Sequence, residues 1–244
     1  MAGDVEESGR LGRVLLKLSG EALMGDAGFG IDPARIDACA RDVQALVDAG
    51  TEVAIVVGGG NFFRGVSDAA AGMDRAVADQ VGMLATILNA LPLEAALVRA
   101  GVPATTMTAG EVSGVATRFD RQRAIELLGE GRVVISAQGT GCPYFTTDTA
   151  AALRALELGV DALLMAKHGV DGVYDADPRT TPDATRIERI SPREAIARDL
   201  RVMDHAALAL CADNGLPLYV FDMDDPTAAA RLVRGERVGT EIRA

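Results

Sequence analysis

The stretch EVAIVVGGGNFFRG, residues 52–65, joins a predicted strand to a glycine-rich turn. Residues 52–57 are almost continuously apolar, which is typical of a strand in a parallel sheet that is covered on both faces. The three glycines at 58–60 let a backbone pass close to a ligand and present successive N–H groups to it. Ligands bind at this carboxyl edge of parallel sheets. The stretch therefore predicts an α/β fold with an anion-binding turn.

Four further apolar runs alternate with longer helical patterns. They are RVLLKL (13–18), RVVISA (132–137), ALLMA (162–166) and PLYVF (217–221). Alternation of buried strands and helices indicates a parallel sheet between helical layers. We predict a three-layer α/β/α sandwich with a mainly parallel central sheet. Residues 11–244 are expected to form a single domain after a disordered tail at 1–10.

Local signals predict some of the connections. Asp32 followed by Pro33 is typical of a helix start, and Gly50 marks the end of that helix. A second helix is expected at 74–90, where the apolar positions exceed one buried stripe and indicate contact with a neighbouring subunit. The turn-rich stretch 168–190 is expected to leave the sheet as a hairpin or flap.

Composition excludes several classes of function. The net charge is −11, so most of the surface would repel a nucleic acid. The cysteines Cys39, Cys142 and Cys211 are far apart and lack CxxC spacing, which argues against a disulfide framework and a zinc site. The chain has only two histidines, which are too few ligands for a His-rich metal site. We expect no metal held by the protein alone and no nucleic-acid partner.

Localisation is predicted from two further features. The start MAGDVEESGR is acidic and lacks the basic and apolar regions of a signal peptide. We expect no apolar run to approach the roughly 18 to 20 residues of a membrane span. The chain is therefore expected to be cytoplasmic, with no membrane partner.

Lysine is rare, and its positions are informative. Of 24 basic residues only Lys17 and Lys167 are lysines, and Lys17 ends an apolar run before Ser19 and Gly20. A cation beside a glycine turn suits a phosphate, and Arg64 adds a forked cation after the second glycine turn. Neither a GxxxxGK[ST] nor a GxGxxG motif occurs, so the phosphate site is of another kind. The alternative is a lysine whose stem merely lies along apolar surface.

The stretch GTGCPYFTTDTAA, residues 139–151, follows another strand and leads into a helix start. Its hydroxyls and the helix N-terminus suit an anionic, polar ligand. Asp148 could equally cap the helix, and Thr146 and Thr147 could be ordinary turn residues. In AKHGVDGVYDADP, residues 166–178, the choice is between a nucleotide contact and a hairpin turn.

Seven motifs, in order, resemble those of the bacterial UMP kinases (uridylate kinases) of the amino acid kinase superfamily. They are LLKLSGEAL, GFGID, GGGNFFRG, GMLATILN, GTGCPYFTTDTAA, VDGVYDADP and RVMDHAALALCADNGLPLYVF, which together span nearly all of residues 13–242. The resemblance implies the amino acid kinase fold and transfer of the γ-phosphoryl group of ATP to UMP. It also implies nucleotide-bound Mg²⁺, a homohexamer and UTP as an inhibitor.

The resemblance also assigns roles to residues. On the ATP side it implies Lys17, Leu18, Ser19, Gly20, Gly60 and Arg64 at the phosphates, and His168, Tyr174 and Asp177 at the adenosine. For UMP it implies Gly59, Asp79, Thr140, Gly141, Cys142, Pro143, Tyr144, Phe145, Thr146 and Thr147. Lys17, Arg64, Asp148 and Asp204 are implied as the catalytic group.

The sequence departs from the family pattern in two places. His168 stands where threonine or asparagine is usual, and Glu94 and Val98 stand where some relatives carry basic residues that bind the activator GTP. Two other functions remain open from the residues: a kinase that phosphorylates a small carboxylate, and a non-catalytic nucleotide-binding or oxyanion-storage protein. Asp79 with the 140–147 loop suits a sugar and a base edge better than a dicarboxylate.

Overall fold

The computed structural model describes residues 9–63, 72–178, 180–181, 183–200 and 202–243. The strands are β1 (Arg13–Leu18), β2 (Glu52–Val57), β3 (Ala104–Thr108), β4 (Thr117–Arg118), β5 (Val133–Ala137), β6 (Ala162–Lys167), β7 (Val173–Tyr174), β8 (Arg186–Ile187), β9 (Arg189–Ile190), β10 (Leu218–Asp222) and β11 (Thr240–Ile242). The helices are α1 (Pro33–Asp48), α2 (Arg75–Arg99), α3 (Arg121–Gly129), α4 (Thr147–Leu158), α5 (Pro192–Ala197), α6 (His205–Asn214) and α7 (Ala228–Val233).

Within the described ranges one large sheet has the strand order β4-β3-β5-β2-β1-β6-β10-β11-β9. Its pairs are parallel except β10 with β11. The mainly parallel sheet and the five strands expected from apolar runs are confirmed. The short strands β4, β9 and β11 and the threonine-rich β3 were not predicted.

Helices cover both faces of the sheet. One face packs with α1, α2 and α7, and its core includes Val14, Leu16 and Leu18 of β1. The other face packs with α3, α4, α5 and α6, and its core includes Leu15 of β1. Side chains alternate along a strand, so Lys17 shares the second face with Leu15. The three-layer sandwich is confirmed, and its register sends Lys17 towards α4.

Helix α1 begins and ends as its sequence predicts. The Asp32 carboxylate accepts a hydrogen bond of 2.8 Å from the Ala34 N–H, and Pro33 is the first helical residue. Gly50 follows the helix with φ 80°, a left-handed conformation that glycine adopts at low cost. These residues fix the connection from β1 to β2.

Helix α2 begins where predicted but ends nine residues later. The Asp74 carboxylate caps its start by accepting from Ala76 N, and the helix then passes through Pro92 to Arg99. Proline removes one hydrogen bond, but Leu93 and Leu97 are fully buried beyond it. Core packing therefore continues the helix.

The same helix corrects the expectation that no stretch is long and apolar enough to cross a membrane. By length and composition α2 passes that test, with a mean hydropathy of 1.7 over 18 residues. However, 44% of that window is buried inside the protein, where α2 packs on α1, β3 and β5. This is weak evidence for a membrane span, because the core helix of a soluble protein passes the same test.

The predicted excursion is a hairpin outside the large sheet. Strands β7 and β8 pair antiparallel through Val173 with Ile187 and Tyr174 with Arg186. The Asp175 N–H also donates to the Thr185 carbonyl at 3.1 Å. The hairpin returns the chain to β9, at the edge of the large sheet.

Candidate active site

An ion pair between Lys17 and Asp148 occupies the carboxyl end of β1. The Nζ atom of Lys17 lies 2.6 Å from Oδ1 of Asp148, and the two side chains are 11% and 19% exposed. Asp148 lies in the first turn of α4, whose cap is Thr146, because the Thr146 hydroxyl accepts from the N–H groups of Asp148 and Thr149 at 3.0 and 3.3 Å. The alternative in which Asp148 caps the helix is therefore wrong. The Asp148 carboxylate forms an ion pair with Lys17 instead.

Asp204 joins two helices at this end of the sheet. It caps α6, where its Oδ1 accepts from the Ala207 N–H at 2.9 Å. Its Oδ2 accepts from the Thr149 hydroxyl at 2.9 Å and also from the Thr146 hydroxyl. Asp204 thus fastens α6 to the first turn of α4, beside Asp148.

The two glycine turns after β1 and β2 pack directly on each other. The Gly58 N–H donates to the Leu18 carbonyl at 2.8 Å, and a Cβ added to Gly20 would lie 2.7 Å from the Gly60 nitrogen. The Ser19 hydroxyl accepts from the Ala22 N–H at 3.2 Å and stabilises the first turn. Residues from two separate parts of the sequence therefore form one continuous backbone surface.

Gly59 faces α2 rather than the other turn. A Cβ at this position would lie 2.8 Å from the Ala85 Cβ and from the Gly82 carbonyl oxygen. Close packing therefore requires glycine here, in addition to the ligand approach that the sequence predicted. The contact fixes the turn relative to the helix that carries Asp79.

A reciprocal amide pair holds the second turn to α2. The Asn61 Nδ2 donates to the Asn89 Oδ1 at 2.9 Å, and the Asn89 Nδ2 donates to the Asn61 Oδ1 at 2.7 Å. The Asn89 Nδ2 also donates to the Gly58 carbonyl, and the Asn61 Nδ2 to the Gly30 carbonyl, both at 2.7 Å. Both side chains are buried. Sequence reasoning missed Asn89, although it lies within the GMLATILN motif.

Asp79 meets the 140–147 loop. The Tyr144 N–H donates to the Asp79 Oδ2 at 2.8 Å, and Arg75 Nε lies 2.9 Å from both carboxylate oxygens. The Arg75 guanidinium carbon also lies 5.6 Å from the centre of the Tyr144 ring. The structure thus brings together two predicted UMP-site elements from distant parts of the sequence. Arg75 was not predicted, and its four-residue spacing from Asp79 is the signal that could have indicated it.

The loop between β5 and α4 is shaped by unusual backbone angles. Gln138 and Tyr144 have φ of 65° and 70°, uncommon for residues other than glycine. The Gln138 N–H donates to the Thr86 hydroxyl at 2.6 Å. The Thr140 hydroxyl accepts from the Cys142 N–H at 3.1 Å. The remaining predicted loop residues lie on the same segment: Gly141, Pro143, Phe145, Thr146 and Thr147.

The exposed aromatic side chains of this loop are available to a ligand. Tyr144 is 67% exposed and Phe145 is 52% exposed. Both face solvent from a loop whose backbone is tied to α2 through Asp79. Flat apolar surfaces held in this way can stack on a base.

The predicted adenosine-side residues lie after β6 and in the hairpin. His168 Nδ1 is 2.7 Å from the Asp224 Oδ2, and Tyr174 donates its hydroxyl to the Asp171 Oδ1 at 2.6 Å. This hydrogen bond raises the pKa of Tyr174. The Asp177 carbonyl accepts from the Thr181 N–H at 2.8 Å.

Arg64, predicted at the phosphates, lies outside the described residues. Lys167, which the sequence left without a role, lies at the end of β6 on the same face as Lys17. Burial lowers the pKa of Lys167, and the positive charge of Lys17 lowers it further, while Asp148 opposes the shift. Both lysines of the chain therefore lie in one electrostatic cluster.

Comparisons with known proteins agree with this fold. Residues 12–222 match the Amino acid kinase family. The uridylate kinase of Paramagnetospirillum magneticum is 54% identical over 94% of this chain and 95% of that protein. The uridylate kinase of Rubrobacter xylanophilus is 52% identical over 99% and 95%. The solved UMP kinase from Bacillus anthracis superposes with a TM-score of 0.93 at 40% identity, covering 96% of each chain. The chain belongs to the amino acid kinase family and, within it, to the uridylate kinases.

Proposed function

We propose that this chain transfers the γ-phosphoryl group of ATP to UMP, giving UDP and ADP, at the carboxyl end of β1. The observation that carries the proposal is the Lys17–Asp148 ion pair beside two glycine turns in contact. Phosphoryl transfer depends mainly on positioning and on stabilising charge at the phosphoryl oxygens. A lysine, backbone N–H groups and a helix start are suitable groups for that task.

The ATP phosphates are assigned to the joined glycine turns. Leu18, Ser19 and Gly20 supply one turn and Gly60 the other, while Lys17 lies beneath them on β1. Arg64 is assigned to the same phosphates by family resemblance alone. The adenosine is assigned to His168, Tyr174 and Asp177, beyond β6.

UMP is assigned to the opposite side of the Lys17–Asp148 pair. Asp79 offers carboxylate oxygens to the ribose, and the 140–147 loop offers hydroxyls and backbone groups to uracil. The contact between Asp79 and the Tyr144 N–H supports this, because it joins the two elements into one surface. Gly59 fixes the distance between this surface and the phosphate turns.

The protein residues act by position and charge. Lys17 neutralises negative charge that develops on the transferred group, and no strong base is required. Asp148 holds the Lys17 ammonium group at the start of α4. Asp204 holds α4 and α6 together, so that Asp148 on the first turn of α4 stays in place beside Lys17.

Magnesium is assigned to the nucleotide rather than to a site built by the protein alone. Among the residues that the structure describes, no three His, Cys, Asp or Glu side chains group as a metal site. Mg²⁺ in nucleotide enzymes takes phosphate oxygens, waters and one or two carboxylates. This donor set fits, with Asp148 as the carboxylate that would hold the ion. Bound there, the ion would neutralise phosphate charge.

Assembly into a homohexamer is the remaining family property. Helix α2 supports it, because Val77, Leu84, Leu88 and Val98 are each about half exposed along that helix. An exposed apolar stripe of this kind is typical of a protein interface. We assign the stripe to contact with a second copy of the chain, in a cytoplasmic enzyme.

The family resemblance raises two nucleotide effectors, UTP as an inhibitor and GTP as an activator. UTP shares its base and sugar with UMP, so it should compete for the 140–147 loop. GTP would need a basic residue at position 94, where this chain has Glu94. The Glu94 carboxylate accepts a hydrogen bond from the Thr106 N–H at 2.8 Å and so has a structural role. We therefore assign inhibition by UTP and leave GTP without a site.

The test is a substrate panel. The purified protein with ATP and Mg²⁺ should phosphorylate UMP, and CMP, dUMP, glutamate and aspartate should be poor acceptors. Omission of Mg²⁺ should remove the activity. Equal turnover of glutamate or aspartate would contradict the assignment of the acceptor.

A further inference from the structure

Lys167 is a partly buried cation for which sequence reasoning found no role. It ends β6, beside β1, and the register pairs Lys17 with Met165 and Leu18 with Ala166. Side chains alternate along a strand, so Lys17 and Lys167 project from the same face of neighbouring strands. Its backbone is fixed as well, because the Lys167 carbonyl accepts from the Met223 N–H at 2.8 Å.

The ammonium group of Lys167 is held by the main chain after position 201. Its Nζ donates to the Val202 carbonyl at 2.8 Å. Val202 is buried and lies two residues before Asp204. Asp204 in turn accepts from the Thr149 hydroxyl on α4. A chain of contacts therefore runs from β6 through the 202–204 connection to the helix that carries Asp148.

The charge balance shows why a purely structural role is an incomplete explanation. Lys17 and Lys167 carry two positive charges, and Asp148 supplies one negative charge between them. Burying a second ammonium group costs free energy that an uncharged donor to Val202 would not. Two ammonium groups beside the glycine turns become favourable once an anionic nucleotide is present. Such locally unfavourable groups occur at functional sites.

We propose that Lys167 is a positioning residue of the phosphoryl-transfer centre: its hydrogen bond to Val202 holds the 202–204 connection, and through Asp204 the first turn of α4, against the end of β1. This inference rests on the proposed function, because it assumes that Lys17 and Asp148 act at the transferred phosphoryl group. It assigns no direct contact between Lys167 and a nucleotide.

The first test removes the Lys167 ammonium group and compares kcat of this variant with that of a matched control. Lys167→Met should lower kcat for UDP formation by about ten- to a hundredfold, the range expected when reacting groups are displaced by about 1 Å. The KM values for UMP and ATP should change by less than about threefold. Arg132→Met is the control, because Arg132 also donates to a main-chain carbonyl, that of Ala104 at 3.0 Å, but belongs to another part of the fold. It should keep wild-type kcat.

The second test asks whether Lys167 acts through α4. Thr149→Val removes the hydroxyl that donates to Asp204 and keeps the side-chain shape. The double variant Lys167→Met/Thr149→Val should lose less kcat than the product of the two single losses, because both changes release the same element. Independent, multiplicative losses would overturn the proposal.

The third measurement covers the case in which Lys167→Met does not fold. Lys167→Arg keeps a cationic donor that can reach the Val202 carbonyl, whereas Lys167→Gln places its amide donor one atom short of Nζ and so weakens that hydrogen bond. We expect Lys167→Arg to retain more kcat than Lys167→Gln at equal melting temperature. Wild-type kcat in Lys167→Gln would overturn the inference. Failure of the wild type to phosphorylate UMP would instead contradict the proposed function.

Discussion

The Nζ atom of Lys17 lies 2.6 Å from Oδ1 of Asp148, which joins a central strand to the first turn of α4. The two residues are 131 positions apart in the sequence (148 − 17). Because both side chains are largely shielded from water, each stabilises the charge of the other. Removal of either one leaves an uncompensated charge at the centre of the site.

Asp79→Ala should weaken the use of UMP specifically. We expect kcat/KM for UMP to fall by an amount equivalent to about 1–3 kcal/mol, because a specific polar contact is lost. The KM for ATP should stay close to wild type. Steady-state kinetics with each substrate varied in turn measures both effects.

Asp37→Ala is the control for Asp79→Ala. Asp37 also pairs with an arginine, Arg99, at 2.5 Å, but on the exposed surface of α1 and α2. Exposed pairs contribute little, so this variant should keep wild-type kinetics. Unchanged UMP kinetics in Asp79→Ala would remove Asp79 from the UMP site.

Asn89→Ala should destabilise the fold and disturb the phosphate turns. Its removal takes the Asn89 donor away from the buried Gly58 carbonyl and Asn61 Oδ1, which costs about 1–3 kcal/mol in the free energy of unfolding. Asn61→Ala and the double variant complete a mutant cycle measured by denaturant unfolding. Asn214→Ala, which removes an exposed hydrogen bond to the Leu210 carbonyl, is the control.

The kinetic result for Asn89→Ala should match the geometry. We expect the KM for ATP to rise more than the KM for UMP, because the amide pair holds the turn that ends β2. Additive unfolding energies in the Asn61 and Asn89 cycle would show that the two side chains do not act as a unit. That outcome would contradict the positioning role described for Asn89.

Asp42 should make stability depend on pH. Burial raises the pKa of its carboxyl to about 6, Arg41 and Arg35 oppose the shift, and Asp225 adds to it. Between the ordinary carboxyl value and about 6, the folded state therefore binds more protons than the unfolded chain. The stability contributed by protonated Asp42 is lost as the pH rises through this range.

Asp42→Asn should therefore raise the melting temperature relative to wild type at about pH 8, and the difference should shrink as the pH falls to about 4. Thermal unfolding of the two proteins in parallel cancels the contributions of other titrating groups. A constant difference across this range would contradict the raised pKa of Asp42.

Leu84→Glu combined with Leu88→Glu should prevent assembly. The two side chains are 54% and 52% exposed in the single chain, and a charge at each would be costly to bury between subunits. Sedimentation or light scattering should show a smaller species than wild type. Val115→Glu, at another exposed apolar position, is the control and should assemble normally. Equal mass in all three proteins would exclude this stripe as the interface.

The sequence predicts the fold best where burial is complete. Strands β1 and β2 were predicted at their observed bounds because central parallel strands are apolar on both faces. Strand β3 was missed because ATTMT is not an apolar run, although Thr106 and Thr108 are buried in it. Strands β9 and β11 are two and three residues long and pair with each other through Glu241 and Arg189, a long-range contact without a local signal.

The candidate site was predictable only in part, for a related reason. Lys17 and Asp148 lie at the ends of predicted elements, and Asp79 is implied by the family resemblance. The roles of Asn89 and Lys167 depend on which face of a helix or strand meets which neighbour. That information lies in the register of β1 with β6 and in the close packing of Gly59 on α2.

The rate of UDP formation by Lys17→Met tests the central claim most directly. We expect kcat to fall by about 10² to 10³ or more, as for loss of one pre-organised stabilising group, while calorimetry shows UMP binding close to wild type. Acetylation of the wild type gives a second measurement. Saturating ATP and Mg²⁺ should slow the acetylation of Lys17 more than that of the amino terminus, as followed by mass spectrometry. Wild-type kcat in folded Lys17→Met would contradict the claim that this lysine stabilises the transferred phosphoryl group.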